Sequence, residues 1–247
     1  MGRTRLDQYL VEQGLAPSRS RAQALIMAGK VKINGKPAEK AGLAVPPGAE
    51  VALDRPDHPY VSRGGVKLAG ALNDLGLDPK GLTCLDVGAS TGGFTDCLLK
   101  HGAASVCAVD VGYGQLHWSL RQDPRVEVIE RVNVRYLRED VAPGPFDLIV
   151  ADVSFISLNL IVPRLIPRLG PGGRLLVLVK PQFEAGRGQV GKGGVVRDPK
   201  VREQAIAKVS GQMAEMGLTV TGSCPSPISG PAGNREHFLL ARPGGGK

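Results

Sequence analysis

Short apolar runs alternate with helical segments from residue 83 onward, and this alternation limits the possible folds more than any other feature. The runs have the length of strands, and the segments between them have the spacing of helices. We predict strands over 83–87, 106–109, 126–129, 148–151 and 174–179, and helices over about 92–101, 115–121, 158–169 and 199–216. Two late segments, LTVTGSCPSP (218–227) and EHFLLARP (236–243), are candidate edge strands. Such alternation predicts an α/β fold with a doubly wound, mostly parallel sheet.

A glycine-rich turn follows the first predicted strand, in the sequence CLDVGASTGGFTDCLL (84–99). Glycines let the backbone approach a ligand closely, and the helix that follows offers its N-terminal amides. A dinucleotide site would need G-x-G-x-x-G, whereas this turn has D-x-G-x-x-x-G-G-F with an acid leading. An acid there disfavours a pyrophosphate and suits a ligand with an amine and a sulfonium, so S-adenosylmethionine fits better than NAD. The candidate cofactor-binding residues in the turn are Asp86, Gly88, Ser90, Gly92, Gly93 and Phe94.

Further candidate cofactor residues follow the next strands. Asp110, followed by Val111, ends the second strand, where a carboxylate can accept hydrogen bonds from both hydroxyls of a ribose. NAD-binding proteins share that feature, so it indicates a nucleoside without identifying it. Asn133 follows the third strand, and two interpretations stay open for it: contact with the adenine edge, or capping of its own loop. Asp152 follows the fourth strand and is a candidate for both the cofactor and the catalytic site.

Lys180 follows an apolar strand directly, in GGRLLVLVKPQFE (172–184). Its ammonium must lie at the edge of the sheet, where desolvation works against the charge. Methyl transfer needs alignment of a nucleophile and removal of its proton. The strand ends show neither the Asn/Asp-Pro-Pro-aromatic motif of base-amine methylation nor the Pro-Cys of cytosine-carbon methylation. We therefore predict that Lys180 deprotonates a ribose hydroxyl or stabilises the oxyanion as it forms.

Three other charged residues can converge with Lys180, namely Lys67, Asp152 and Glu236. Each of them has a structural alternative. Lys67 could be a surface lysine on a helix, and Asp152 could be a cap at a strand end. Glu236, in GNREHF, could only flank an edge strand.

The first part of the chain has a different pattern of predicted elements and an excess of basic residues. Two helical segments, the second with Ser18 or Ser20 as its N-cap and ending at Met27, precede a hairpin at Asn34-Gly35. The whole chain of 247 residues has a net charge of +8, and the segment 16–40 contains six basic residues and one acidic residue. The candidates among them for contact with a polyanion are Arg19, Arg21, Lys30, Lys32 and Lys36. Such clustering favours a polyanionic partner, although a solvated charged face is an equal alternative on charge alone.

The segment RLDQYLVEQGLAPSRSRAQALIMAGKVKINGKPA (5–38) resembles the small RNA-binding domain named after ribosomal protein S-four. Ser20, Arg21, Gly29, Asn34 and Gly35 are among the positions that match its pattern. The resemblance implies contacts with structured RNA through shape and phosphates. We expect this RNA-binding domain over residues 1–56, a linker over 57–62 and a methyltransferase domain over 63–247.

The lysine, aspartate, lysine, glutamate set, in this order, resembles the catalytic tetrad of FtsJ/RrmJ-like ribose methyltransferases. Together with YVSRGGVKL, DVGASTGGFT, ADVSFIS, VKPQFE and NREHF, the whole chain is similar to the TlyA, or hemolysin A, family. The resemblance implies a Rossmann-like class I S-adenosylmethionine-dependent domain and 2′-O-methylation of cytidines in ribosomal RNA. Its implied catalytic residues are Lys67, Asp152, Lys180 and Glu236, and its partners are ribosomal RNA or ribosomal subunits.

Several other classes of protein are disfavoured. No stretch reaches 18 consecutive apolar residues, and the first residues lack the apolar core of a signal peptide, so we expect a cytoplasmic protein without a membrane partner. The four cysteines form no C-x-x-C pair and the four histidines have no ligand spacing, so we expect no metal. A catalytically inactive ribosome-assembly protein and a pore-forming hemolysin stay as alternative functions. The sequence does not determine the oligomeric state.

Overall fold

The computed structural model describes residues 4–16, 18–53 and 58–244. The chain forms two compact units, residues 1–59 and residues 60–247. We describe each unit by itself.

The first unit contains two helices and a small antiparallel sheet. Helices α1 (Leu6–Glu12) and α2 (Arg19–Met27) precede strands β1 (Val31–Ile33), β2 (Lys36–Pro37) and β3 (Val51–Leu53), in the order β2-β1-β3. The Ser18 hydroxyl caps α2 by accepting from the Arg21 N–H, so Ser18 and not Ser20 is the N-cap. The predicted pair of helices and hairpin is confirmed, and β3 is a strand that the hairpin pattern did not indicate. Leu6, Leu10 and Ile26 are buried between the helices and the sheet.

The second unit is a seven-stranded sheet with helices on both faces. Its helices are α3 (Arg63–Asp74), α4 (Gly93–Lys100), α5 (Trp118–Arg121), α6 (Val162–Leu165), α7 (Pro181–Glu184) and α8 (Pro199–Glu215). Its strands are β4 (Thr83–Val87), β5 (Ser105–Val109), β6 (Val126–Ile129), β7 (Phe146–Ala151), β8 (Leu169–Val179), β9 (Leu218–Pro225) and β10 (His237–Pro243). The strand order is β6-β5-β4-β7-β8-β10-β9. Strands β4 to β8 pair in parallel, whereas β10 is antiparallel to both its neighbours.

Alternate side chains of the central strands enter two separate apolar cores. On one face, Leu148 and Leu176 pack in a cluster with Leu68 and Leu98 of α3 and α4. On the other face, Ile149 belongs to a cluster that contains residues of α6 and α8. A sheet covered on both faces explains why its strands are continuous apolar runs. The predicted doubly wound α/β fold is therefore confirmed.

Three predicted elements differ from the structure. Strand β10 is not at the edge but lies between β8 and β9, and its residues 238–241 are buried. The predicted helix over 158–169 is broken into a 3-10 turn (Leu158–Leu160), α6 and a second 3-10 turn (Ile166–Arg168), because Pro163 and Pro167 lack the N–H that a continuous helix needs. The predicted helix over 115–121 is reduced to α5.

The end of the predicted linker packs in the second unit. Tyr60 and Val61 contact the apolar core, and the Val61 N–H donates to Asp96 of α4 at 2.9 Å. Asp57 lies outside the described residues. Ser62 is the N-cap residue of α3, a helix that the sequence pattern missed because its second and third residues are Gly64 and Gly65.

Candidate functional site

A cavity of about 710 Å³ opens at the carboxyl ends of β4, β5 and β7. Parallel α/β sheets bind their ligands at this edge. Among the predicted cofactor residues, those that line the cavity are Gly88, Ser90, Asp110, Val111, Asn133 and Asp152. Residues of the 3-10 turn Val134–Tyr136 and of the segment 153–157 complete its wall.

The backbone at Gly88 passes very close to the end of β7. Gly88 has φ +85°, and a Cβ atom there would lie 2.6 Å from the Asp152 carbonyl oxygen. The Asp152 N–H in turn donates to the Val87 carbonyl at 3.0 Å. Only glycine combines this conformation with this close approach, so the turn brings the ends of β4 and β7 together at the cavity.

Asp110 is held by the backbone at the cavity wall. Its Oδ2 accepts from the Ser90 N–H at 2.7 Å, and its Oδ1 accepts from the Gly112 N–H at 2.6 Å. Each carboxylate oxygen has a second lone pair, so the group can still accept hydrogen bonds from a diol. Asn133 Oδ1 accepts from the Arg135 N–H at 3.0 Å. Asn133 therefore caps its own loop, as one of the two interpretations predicts, and it also lines the cavity.

Asp86 is fully buried and does not line the cavity. Its Oδ2 accepts from the Thr95 hydroxyl at 2.6 Å, and its Oδ1 has no hydrogen-bond partner among the described residues. Burial raises the pKa of this carboxyl to about 7, and the nearby Asp152 and Asp110 carboxylates add to the effect. Because Asp86 is buried behind the glycine turn, it could act on a positively charged ligand in the cavity only through the field of its charge and not by direct contact.

The other three predicted turn residues have packing contacts and also lie away from the cavity lining. Gly92 has φ +93°, and a Cβ atom there would overlap the Leu120 side chain. Gly93 lies against the start of α3, and Phe94 is buried with its ring centroid 6.1 Å from that of Phe238. They are absent from the cavity lining, and their role in cofactor binding stays a prediction.

The cavity fits S-adenosylmethionine by the chemistry of its lining. It combines the carboxylates of Asp110 and Asp152 with apolar Val111, Val132 and Leu160. Its size is ample for a nucleoside with an amino-acid arm. Asp110 could hold the ribose, apolar side chains could flank the adenine, and Asp152 could attract the positive charge. Among the described residues, no group of three or more histidine, cysteine or acidic side chains could hold a metal ion.

Lys180 and Asp152 form an ion pair at the ends of β8 and β7. Lys180 Nζ lies 2.6 Å from Asp152 Oδ1, although the geometry of this contact is that of an ion pair without a hydrogen bond. The ammonium donates instead to the Ser154 hydroxyl at 2.8 Å. The side chains of Lys180 and Asp152 are only 10% and 18% exposed. The lysine is thus held at the sheet edge beside a residue that lines the cavity.

Lys67 and Glu236 form a second, more buried pair. Lys67 Nζ donates to Glu236 Oε2 at 2.5 Å, and the two side chains are 8% and 1% exposed. The alternative of a surface lysine on a helix is therefore wrong for Lys67, which lies on the buried face of α3. Because His237 pairs with Val179, Glu236 lies beside Lys180 at the same edge of the sheet. The fold brings both lysine–carboxylate pairs to this edge.

Sequence reasoning missed two residues of this region. Ser154 is the hydrogen-bond partner of Lys180, and Glu184 is a buried acid with both oxygens in use. Only proximity to Lys180 in the sequence could have indicated Glu184, since its partners lie 26 and 27 residues away.

Two arginines of the first unit share one buried acid, Asp7. Asp7 accepts from Arg5, from Arg19 at 3.1 Å and from Gln23 at 2.9 Å, and these hydrogen bonds hold its pKa far below the usual range. Arg19 keeps about half of its side chain exposed. Arg21, Lys30 and Lys36 are exposed, and Lys32 is half-buried on β1. Arg5, which the sequence reasoning did not select, shares the Asp7 carboxylate with Arg19.

Comparison with known proteins extends these observations. Residues 60–242 match the profile of the FtsJ-like methyltransferases, and residues 4–51 match that of the S4 domain. The 16S/23S rRNA (cytidine-2'-O)-methyltransferase TlyA of Mycobacterium tuberculosis is 50% identical over 241 residues, which cover 97% of this chain and 90% of that protein. Hemolysin A of Brachyspira hyodysenteriae is 40% identical over 240 residues, with 96% and 100% covered.

A solved structure also resembles the whole chain. It is described as a hemolysin from Streptococcus thermophilus and has 43% sequence identity and a TM-score of 0.75. The match covers 98% of this chain and 89% of that one. In the part of the chain that the structure describes, no helix has the length and apolar character needed to cross a membrane.

Proposed function

Because the chain belongs to the TlyA family of FtsJ-like methyltransferases, we propose that it transfers a methyl group from S-adenosylmethionine to the 2′-hydroxyl of cytidine in ribosomal RNA. The chain is a methyltransferase by its family. The proposal adds the cofactor, the acceptor atom and the residues that act on it. Such a substrate would place the protein in the cytoplasm.

The observation that carries the proposal is the Lys180–Asp152 pair beside the cavity. A ribose hydroxyl is a weak acid, so its methylation needs a group that takes the proton or steadies the forming oxyanion. Lys180 is paired with a carboxylate that also lines the cavity. The Lys67–Glu236 pair lies at the same sheet edge and adds a second ammonium.

Each member of the proposed tetrad has a distinct task. The bound cofactor supplies an electrophilic methyl group on its sulfonium. Lys180 Nζ would take the proton of the 2′-hydroxyl when it is an uncharged amine, and as an ammonium it would stabilise the forming oxyanion. Asp152 and Ser154 orient the Lys180 side chain. Glu236 fixes Lys67, which adds a second ammonium at the same edge of the sheet.

The first unit supports a structured RNA as the substrate. Asp7 holds Arg5 and Arg19 in fixed positions while leaving about half of each side chain in solvent. Guanidinium groups bind phosphate oxygens in pairs of hydrogen bonds, and a side chain already held in place loses less freedom on binding. Arg21, Lys30, Lys32 and Lys36 would add phosphate contacts.

The experiment that tests the function is methylation of ribosomal RNA and of intact subunits by the purified protein with labelled S-adenosylmethionine, followed by mapping of methylated riboses. We expect 2′-O-methylcytidine in at least one ribosomal RNA. Binding of subunits without methyl transfer would favour the inactive assembly protein instead. Leakage of liposomes without methyl transfer would favour the pore-forming alternative.

The role of Lys180 has its own test. Lys180→Met and Lys180→Arg should each lower turnover by roughly a hundredfold or more, since arginine keeps the charge but cannot accept a proton. Affinities for RNA and cofactor should stay close to those of the parent protein. Single-turnover kinetics and calorimetry give these values. If Lys180→Arg keeps most of its turnover, the lysine supplies only charge and Lys67 becomes the candidate base.

A further inference from the structure

The loop that follows β7, residues 152–158, carries the proposed catalytic Asp152 and forms part of the cavity wall. We call it the 152–158 loop. It is not a helix or a strand until the 3-10 turn Leu158–Leu160, so its conformation depends on contacts with other parts of the chain.

Glu184 makes two of these contacts at the far end of the loop. Its Oε2 accepts from the Ser157 hydroxyl at 2.7 Å, and its Oε1 accepts from the Leu158 N–H at 2.7 Å. Glu184 is 3% exposed, and both of its oxygens are used within the protein. A buried carboxylate is retained only where such hydrogen bonds compensate its desolvation.

The segment 180–184 contacts the loop along its whole length. At one end, Lys180 pairs with Asp152 and donates to Ser154. In the middle, the ring centroids of Phe183 and Phe155 lie 5.1 Å apart. At the other end Glu184 holds Ser157 and Leu158. One short segment therefore positions the loop and presents the lysine to it.

The middle of the loop has a conformation that needs such support. Phe155 has φ +64° although it is not glycine, and its side chain is 90% exposed. Bulky residues rarely adopt this region, and they stay there only when the surrounding contacts determine the backbone. The contact of the Phe155 ring with Phe183 is one such constraint, and the two hydrogen bonds to the buried Glu184 carboxylate are another.

We propose that Glu184 is a positioning residue for methyl transfer, which fixes the 152–158 loop so that Asp152 and Lys180 keep their alignment with the cavity. The inference rests on the proposed function. Glu184 is not among the residues that line the cavity, and it acts on Asp152 and Lys180 through the loop.

The test measures single-turnover methyl transfer to ribosomal RNA by the full-length protein at saturating cofactor and RNA. Glu184→Ala should lower the rate constant by at least about tenfold while the protein still unfolds cooperatively. Glu184→Gln keeps one acceptor for Leu158 and can donate to the Ser157 oxygen, so it should restore most of the rate. Ser157→Ala, which removes one of the two bonds, should have an intermediate effect.

Lys208→Met is the matched control. Lys208 Nζ donates to the main-chain oxygen of Glu184 at 2.9 Å, so this variant removes an interaction with the same residue and leaves its carboxylate in place. We expect the rate constant of Lys208→Met to equal that of the parent protein.

A double variant separates positioning from general stability. If Glu184 acts by aligning Lys180, adding Glu184→Ala to Lys180→Met should lower the rate constant only slightly further, because the group to be aligned is already gone. Rate reductions that multiply, or a folded Glu184→Ala with the parent rate, would overturn the inference. Absence of methyl transfer by the parent protein would instead overturn the proposed function, so the two failures are distinguishable.

Discussion

At the scale of single residues, burial determines the chemistry of the charged groups more than their identity does. Asp86 and Asp110 lie at neighbouring strands, yet Asp86 is fully buried with one hydroxyl partner and Asp110 is partly exposed with two backbone N–H partners. Burial raises the pKa of Asp86 to about 7. The unfolded chain gives this carboxyl an ordinary pKa of about 3.9.

We expect Asp86 to make the stability of the second unit depend on pH. Between about pH 4 and pH 7 the unfolded chain has ionised this group while the folded protein still holds its proton. The folded state therefore loses stability relative to the unfolded state as the pH rises through this range, and the effect is constant above it. The difference in free energy of unfolding between Asp86→Asn and the parent should grow in favour of the variant from about pH 4 to about pH 7.

Urea unfolding of both proteins at several pH values measures this difference. S-adenosylmethionine should weaken the dependence, because a bound cation favours the ionised form of Asp86. A difference that does not change with pH would show that Asp86 is ionised in the folded protein throughout this range.

At the scale of elements, the glycine turn serves packing as well as the cavity. Gly93, at the start of α4, lies against the start of α3: a Cβ atom there would overlap the Ser62 hydroxyl oxygen and lie 2.8 Å from the Gly65 nitrogen. The hydroxyl can rotate away, but the backbone nitrogen cannot. The packing of α3 on α4 thus requires glycine at a position with an ordinary helical conformation.

We predict that Gly93→Ala lowers the free energy of unfolding by about 1–3 kcal/mol, the usual cost of overpacking. Gly211→Ala is its control, since Gly211 lies exposed in α8 and nothing lies within 4 Å of its added Cβ atom. That variant should gain about 0.5–1 kcal/mol, because alanine is the better helix former. Thermal and urea unfolding measure both values, and equal effects would contradict the close approach of α3 and α4.

At the scale of the whole molecule, the proposed function assigns a different task to each of the two units. The proposed phosphate contacts lie in residues 1–59, and the cavity with both lysine–carboxylate pairs lies in residues 60–247. Variants in one unit should therefore leave the binding function of the other unit nearly unchanged.

A variant in the second unit tests one half of this separation. Gly88→Val should abolish binding of S-adenosylmethionine, because a side chain at φ +85° would collide with the Asp152 carbonyl. Affinity for RNA should stay nearly intact, since the basic residues lie in the other unit. Calorimetry with the cofactor and a titration with RNA measure the two affinities, and unchanged cofactor binding would contradict the location of the site.

Variants in the first unit test the other half. Replacing Arg19, Arg21 and Lys32 with alanine should weaken RNA binding and flatten its salt dependence, by a slope of about 0.7–0.9 for each phosphate that the variant no longer neutralises. A titration of RNA affinity against salt concentration gives this slope. Weaker binding with an unchanged slope would mean that these residues act through the stability of the first unit.

Local sequence patterns were sufficient to predict many of the secondary-structure elements of this protein. The run 83–87 with its glycine turn, the apolar strand before Lys180 and the Asn34-Gly35 hairpin predicted their elements because each depends on neighbours a few residues apart. The motifs likewise indicated the family, which the comparisons confirm. The individual site residues stay predictions.

Tertiary structure alone decided how distant segments meet. The sequence by itself determined the α/β class, the order of the strands along the chain and the S4 domain of the first part. It could not place β10 between β8 and β9, pair Lys67 with Glu236 across 169 residues, or bring Glu184 to the 152–158 loop. The physical reason is that the periodicity of apolar residues indicates which face of an element is buried. Which other element covers that face depends on packing across the whole sheet.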